Sequence, residues 1–196
     1  MGCATKMEAV RSTNQRRVWT EREYLHWPEM RLIELDRGYV EELPGPTVRH
    51  QIVVGNLMIA MHEFVSEHHL GDVLHAPFPV RTGPRRYREP DVIFRGSSAP
   101  RTDPRTTYFW DQVSFVAEVL ADAQPERHRD LIDKRFEYAE AGIAEYWIVD
   151  PEKQEVLTLR LQGSEYVESG TSGMQDVVRS TALPGFEIPA SQVFAK

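Results

Sequence analysis

Apolar and polar positions along the chain change their period several times. Residues 31–43 alternate around Asp36-Arg37-Gly38, the pattern of a hairpin with a glycine turn. Pro44-Gly45-Pro46 ends it. From Thr47 the spacing turns helical: Val48, Ile52, Leu57, Ile59, Phe64 and Val65 supply the apolar positions. Thr47 is the expected N-cap and Gly71 the stop. Strands are expected over 73–80 and 91–94, with an arginine-rich loop between them. Residues 113–120 are almost wholly apolar and bounded by polar loops, which predicts a strand covered on both faces. A helix over 126–141 closed by Gly142, an apolar strand over 145–150 cut by Pro151, and a hairpin from 155–161 to 166–167 follow. The tail 183–189 reads as extended. Strands and helices are mixed within one unit, so the fold class is α/β (α+β), a sheet with flanking helices.

The chain has 196 residues, 41% of them hydrophobic, which excludes a disordered protein. Residues 1–17 are polar and aperiodic and read as a loose N-terminal arm, with 18–196 as a single domain. One cysteine, Cys3, permits no intramolecular disulfide and suits a reducing cytoplasm. No run has the length of a membrane span or a secretory signal, so a cytoplasmic protein with no membrane partner is expected. The net charge of −7 argues against coating nucleic acid by bulk charge. That charge is uneven, however. Residues 81–105 hold seven arginines against three carboxylates, and Arg85, Arg86 and Arg88 are candidates for contacting a nucleic-acid phosphate. A solvated loop explains the same residues.

Several chemistries fall away. The seven histidines form no His-Glu-x-x-His pair, and no glycine-rich phosphate loop or nucleophile elbow is present. Three residues remain. Glu118 lies inside the most apolar strand, on the face of Val116 and Leu120. A carboxylate there costs several kcal/mol or so unless paired, protonated or metal-bound. Asp91 opens its strand after Pro90; taken alone, it reads first as a turn-capping aspartate. Lys134 falls at the edge of the helix's apolar arc at 100° steps, while Arg135 falls more centrally, so periodicity does not choose between the two cations. Two carboxylates and an ammonium suit a hard cation such as Mg²⁺ or Mn²⁺ and the hydrolysis of a phosphodiester.

These residues carry a resemblance. Glu34-Leu-Asp-Arg-Gly38, His50, Pro90-Asp-Val92, Ala117-Glu-Val-Leu120, Lys134 with Tyr138-Ala139, Glu145-Tyr-Trp-Ile-Val-Asp-Pro151 and Leu183-Pro-Gly185 resemble the bacterial Uma-two family of restriction endonuclease-like proteins. The resemblance implies the PD-(D/E)xK nuclease fold: a mixed central β-sheet flanked by helices, here with an N-terminal and a C-terminal hairpin. It further implies Mg²⁺-dependent (or Mn²⁺-dependent) DNA cleavage by Asp91, Glu118 and Lys134, with metal held by Asp91 and Glu118. Glu34 and His50 would be accessory residues, DNA the partner, and a homodimer the arrangement that cuts two strands. The chain departs from the pattern twice: Leu120 stands where the wider nuclease group places lysine, and Ala121 where the family carries serine. Those departures favour the alternative of a non-catalytic DNA- or protein-binding module on a nuclease-like scaffold.

Overall fold

The computed structural model describes residues 17–27, 32–99, 103–109, 111–121 and 124–196. The expected arm over residues 1–17 lies, but for Arg17, outside the described residues. After a short capped helix α1 (Glu21–Leu25), the first hairpin forms as the alternation predicts, β1 (Ile33–Asp36) with β2 (Tyr39–Glu42). Its turn holds Arg37 and Gly38 at φ 50° and 94°, the left-handed pair that a tight hairpin needs.

Helix α2 (Val48–Glu67) starts at Thr47, whose hydroxyl accepts from the His50 amide at 3.2 Å. It buries Val53, Val54, Leu57, Met61 and Val65. Val48, Ile52 and Ile59, which the sequence counts among the helix's apolar positions, stand exposed on the other side. The left-handed residue at its end is His69 rather than Gly71. Gly71 is required for another reason: a Cβ there would meet the Arg95 carbonyl oxygen at 2.1 Å.

The expected strand 73–80 is two strands in different sheets, β3 (Gly71–His75) and β4 (Val80–Gly83). Pro77 and Pro79 lie between them and cannot donate to a ladder. The arginine-rich segment that follows is largely a hairpin rather than a loop: β4 pairs antiparallel with β5 (Arg86–Arg88), which also pairs with β1. A four-stranded sheet of order β2-β1-β5-β4 results.

The larger sheet has six strands. Besides β3 these are β6 (Val92–Gly96), β7 (Val113–Val119), β8 (Glu145–Asp150), β9 (Glu155–Gln162) and β10 (Glu165–Ser172), in the order β10-β9-β8-β7-β6-β3. All neighbours are antiparallel except β7 and β8, and that parallel pair demands a crossover. The crossover is α3 (Gln124–His128), a π turn (Arg129–Asp133) and α4 (Lys134–Glu140), where a single helix was expected. At the junction the Lys134 amide donates to the Arg129 carbonyl, five residues back.

Strands β7 and β8 lack hydrophobic alternation because both faces are covered. Phe115, Ala117, Trp147 and Val149 pack under α2 and the C-terminal segment. Val116, Leu120, Tyr146 and Ile148 pack under α4 with Tyr138 and Ile143. Each fully buried large side chain is worth about 1.5–3 kcal/mol. The tail 183–189, expected to be simply extended, carries β12 (Glu187–Pro189), which pairs with β11 (Val177–Arg179) and leads into α5 (Ala190–Val193). Glu145 ties this tail down. Its carboxylate accepts from the Ser180 hydroxyl at 2.6 Å and from the Thr181 and Ala182 amides at 2.8 and 2.6 Å.

Candidate active site

The β6–β7 ladder pairs Val92 with Ala117, so the next position out sets Asp91 across from Glu118. The Val119 amide donates to Asp91 Oδ2 at 2.7 Å, and His50 Nε2 lies 3.2 Å from the same oxygen. The two bonds hold the aspartate at the end of the ladder, the second of them from the first turn of α2. Burial favours neutral His50, but the hydrogen bond and charge of Asp91 outweigh it and lift the imidazole pKa above its usual value.

Glu118 is buried on the α4 side of β7, at 3% exposure. Lys134 Nζ donates to Glu118 Oε1 at 2.7 Å, and the Tyr138 hydroxyl donates to the same oxygen. The ammonium also lies 3.1 Å from Asp130 Oδ1 and 3.3 Å from Glu34 Oε1. Lys134 is therefore the cation that faces the site. Arg135 turns away, donating to the Tyr166 carbonyl at 3.0 Å and to Glu168.

Three carboxylates around one ammonium have an electrostatic consequence. Burial opposes charge on Lys134, but Asp130, Glu118 and Glu34 outweigh it and hold the lysine protonated. Burial raises Glu34 too, yet Lys134, Arg88 and Arg129 bring its pKa down to about 2. Glu118 moves the other way: burial, with the like charges of Asp130, Asp91 and Glu34, prevails over Lys134 and pushes it up to about 8. Glu89, two residues before Asp91, is raised to about 8 by burial and the charge of Glu34, and its Oε2 has no hydrogen-bond partner among the described residues.

Of the candidate residues, Asp91, Glu118, Lys134, Glu34 and His50 all lie within this one network. The arginines do not behave alike. Arg88 is 2% exposed. Its guanidinium makes a two-pronged contact with Glu137 at 2.6 and 2.8 Å and donates to Glu34 at 2.8 Å and to Glu41 at 3.2 Å. It is withdrawn from any phosphate, because a buried guanidinium needs every donor satisfied. Arg86 is similarly engaged, with Asp36 at 3.3 Å and Glu140 at 2.9 Å. Arg85, in the turn between β4 and β5, is the exposed one of the three.

Asp130, Tyr138 and Glu89 escaped the sequence reading as site residues. For Asp130 and Tyr138 the signal was present: Asp130, Lys134 and Tyr138 recur every four residues, the spacing of one helix face.

The donor set is all oxygen. Asp91 Oδ1 and Glu118 Oε2 take none of the hydrogen bonds or ion pairs that occupy their partner oxygens. Among the described residues no group of three or more His, Cys, Asp or Glu side chains is arranged to hold a metal ion. Mg²⁺ is commonly bound through one or two carboxylates and keeps several waters, so Asp91 and Glu118 fit that cation without a third side chain.

The architecture is that of a nuclease-like fold. The fold is similar to that in the crystal structure of a "putative nuclease belonging to DUF820" from Anabaena variabilis ATCC 29413, with a TM-score of 0.73 and 16% sequence identity over 89% of this chain and 97% of that one. Residues 22–191 match the Uma2 family, described as "Putative restriction endonuclease", and the chain belongs to that family. No match was found among curated proteins. No helix among the described residues is long and apolar enough to cross a membrane.

Proposed function

We propose that this protein is a cytoplasmic Mg²⁺-dependent endonuclease, Mn²⁺ substituting, that hydrolyses DNA phosphodiester bonds. The observation that carries this reading is the buried ammonium of Lys134 at 2.7 Å from Glu118, beside a second carboxylate, Asp91, across the ladder. Asp91 and Glu118 would hold the cation. When bound, it would polarise a phosphoryl oxygen and acidify a coordinated water. The chain's own residues set the rest. Val119 and His50 fix the orientation of Asp91. Asp130 and Glu34 hold the Lys134 ammonium in place, and Tyr138 fixes the Glu118 carboxylate that faces it. Lys134 then supplies a fixed positive charge and a proton donor where negative charge develops on a phosphate.

Mg²⁺-dependent nicking of supercoiled plasmid tests the reading: wild type should nick, and Glu118→Gln and Lys134→Ala should not. Equal nicking by all three proteins overturns it. One observation favours the non-catalytic alternative: Lys134 is already engaged by three carboxylates, with Ala121 offering no hydroxyl nearby. In that case Mn²⁺ would not bind at millimolar concentration while DNA or protein binding persisted.

A further inference from the structure

Helix α2 is apolar on two opposite faces. Leu57, Met61 and Val65 enter the core, whereas Val48, Ile52 and Ile59 are 77, 37 and 59% exposed. At 100° per residue these three fall within about 40° of one another, on the side opposite Leu57. Gly55 lies beside them, and a Cβ built there would meet nothing within 4 Å. A row of large aliphatic side chains along an outer helix face marks an interaction surface.

The flank of this stripe indicates what covers it. Arg49 near the start of α2 and Glu63 near its end project on the same side of the stripe, and neither has an ion pair with a described residue. When two copies of one helix meet antiparallel across a two-fold axis, each residue i that touches j is matched by j touching i. An axis passing near Gly55 and Asn56 sets Ile52 of one copy against Ile59 of the other. The same register sets Arg49 of one copy against Glu63 of the other. Apolar contact, opposite charge and a glycine at the crossing, where bulk would hold the backbones apart, all fall into one register.

We infer that the outer face of α2 is the interface of an antiparallel two-fold dimer, the occupant being a second copy of this chain. Helix α2 packs on the opposite face of the large sheet from α4, so pairing leaves the layer that carries Lys134 uncovered. The two His50 residues would stand roughly 17 Å apart along the helix axis.

Sedimentation velocity over a micromolar to millimolar series, without metal or DNA, tests this independently of the proposed chemistry. Wild type should dimerise, and Ile52→Glu with Ile59→Glu should give a folded monomer. Arg49→Glu and Glu63→Arg should each weaken dimerisation about 5-fold, and their combination should restore it. In a Cys3→Ser background, oxidised Gly55→Cys should cross-link, since a disulfide needs Cα atoms within about 7 Å. A monomeric wild type overturns the inference, as does a dimer indifferent to Ile59→Glu. A monomer whose melting temperature drops with Ile59→Glu also overturns it, because that face would then be covered within the chain.

Discussion

Lys134 and Glu118 meet at 2.7 Å in the interior, sixteen residues apart, one from a helix and one from the strand beneath it. Their burial is unequal in consequence. Removing the ammonium leaves Glu34, Glu118 and Asp130 facing one another, while removing the Glu118 charge leaves Lys134 with two partners. Lys134→Met should therefore cost about 3–5 kcal/mol at neutral pH, and Glu118→Gln about 1 kcal/mol or less, because burial already favours its protonated form. Urea unfolding of the two variants would check this, and the gap should narrow in acid as the freed carboxylates take up protons.

Divalent-cation binding separates the carboxylates that would hold a metal from those that hold Lys134. Calorimetric titration with Mn²⁺ should show binding to wild type and at least a 10-fold loss in both Asp91→Asn and Glu118→Gln, in line with losing one of two carboxylate ligands. Glu41→Gln, at a carboxylate that pairs with Arg88 and Arg129, should bind as wild type does.

The arginines divide in the same way. Arg88→Lys keeps the charge but loses the two-pronged contact with Glu137, and should destabilise by about 2–4 kcal/mol. Arg85→Ala, exposed in its turn, should leave the melting temperature within about a degree, near the range of neutral surface changes. If Arg85 meets DNA, that variant should weaken binding and flatten its salt dependence.

Glu34 gives a pH signature of defined sign. Its pKa falls from 4.5 to about 2 on folding, so the stability it contributes is complete above the unfolded value and disappears as pH falls through the folded one. Between those limits wild type should lose about 3 kcal/mol more than Glu34→Gln. Thermal unfolding at matched ionic strength would measure the difference.

Much of the fold was legible in the sequence because its signals are local. Gly38 in a hairpin turn, Thr47 as a cap, and apolar runs around Phe115 and Trp147 need no tertiary information. The face of the crossover helix was not legible in this way. Ile132 and Phe136 pull the apolar arc toward themselves, yet they are 44 and 66% exposed. The buried face holds Asp130, Lys134, Glu137 and Tyr138. Charged residues take it because their partners, Glu34 and Arg88, arrive from the small sheet, and no periodicity within the helix encodes that. The same long-range pairing explains why Arg88 and Arg86 read as surface cations. Glu118 was legible as a candidate because a carboxylate inside an apolar strand is costly wherever the chain places it, whereas Asp91 stood out only by its place after Pro90 and by the family resemblance.

The small sheet thus does more than flank the large one. Glu34 and Arg88 come from β1 and β5, while Lys134, Glu137 and Glu118 belong to the crossover and the large sheet. A chain whose first hairpin has peeled away would keep both strand carboxylates and the Arg88–Glu137 contact but lose Glu34, a partner of both Lys134 and Arg88. The complete charge network, with Glu34 and Arg88 in it, exists only while two separately built sheets are docked. Under the proposed function, a nascent or partly unfolded copy would therefore lack its complete site, a safeguard that ties DNA cleavage to the finished fold.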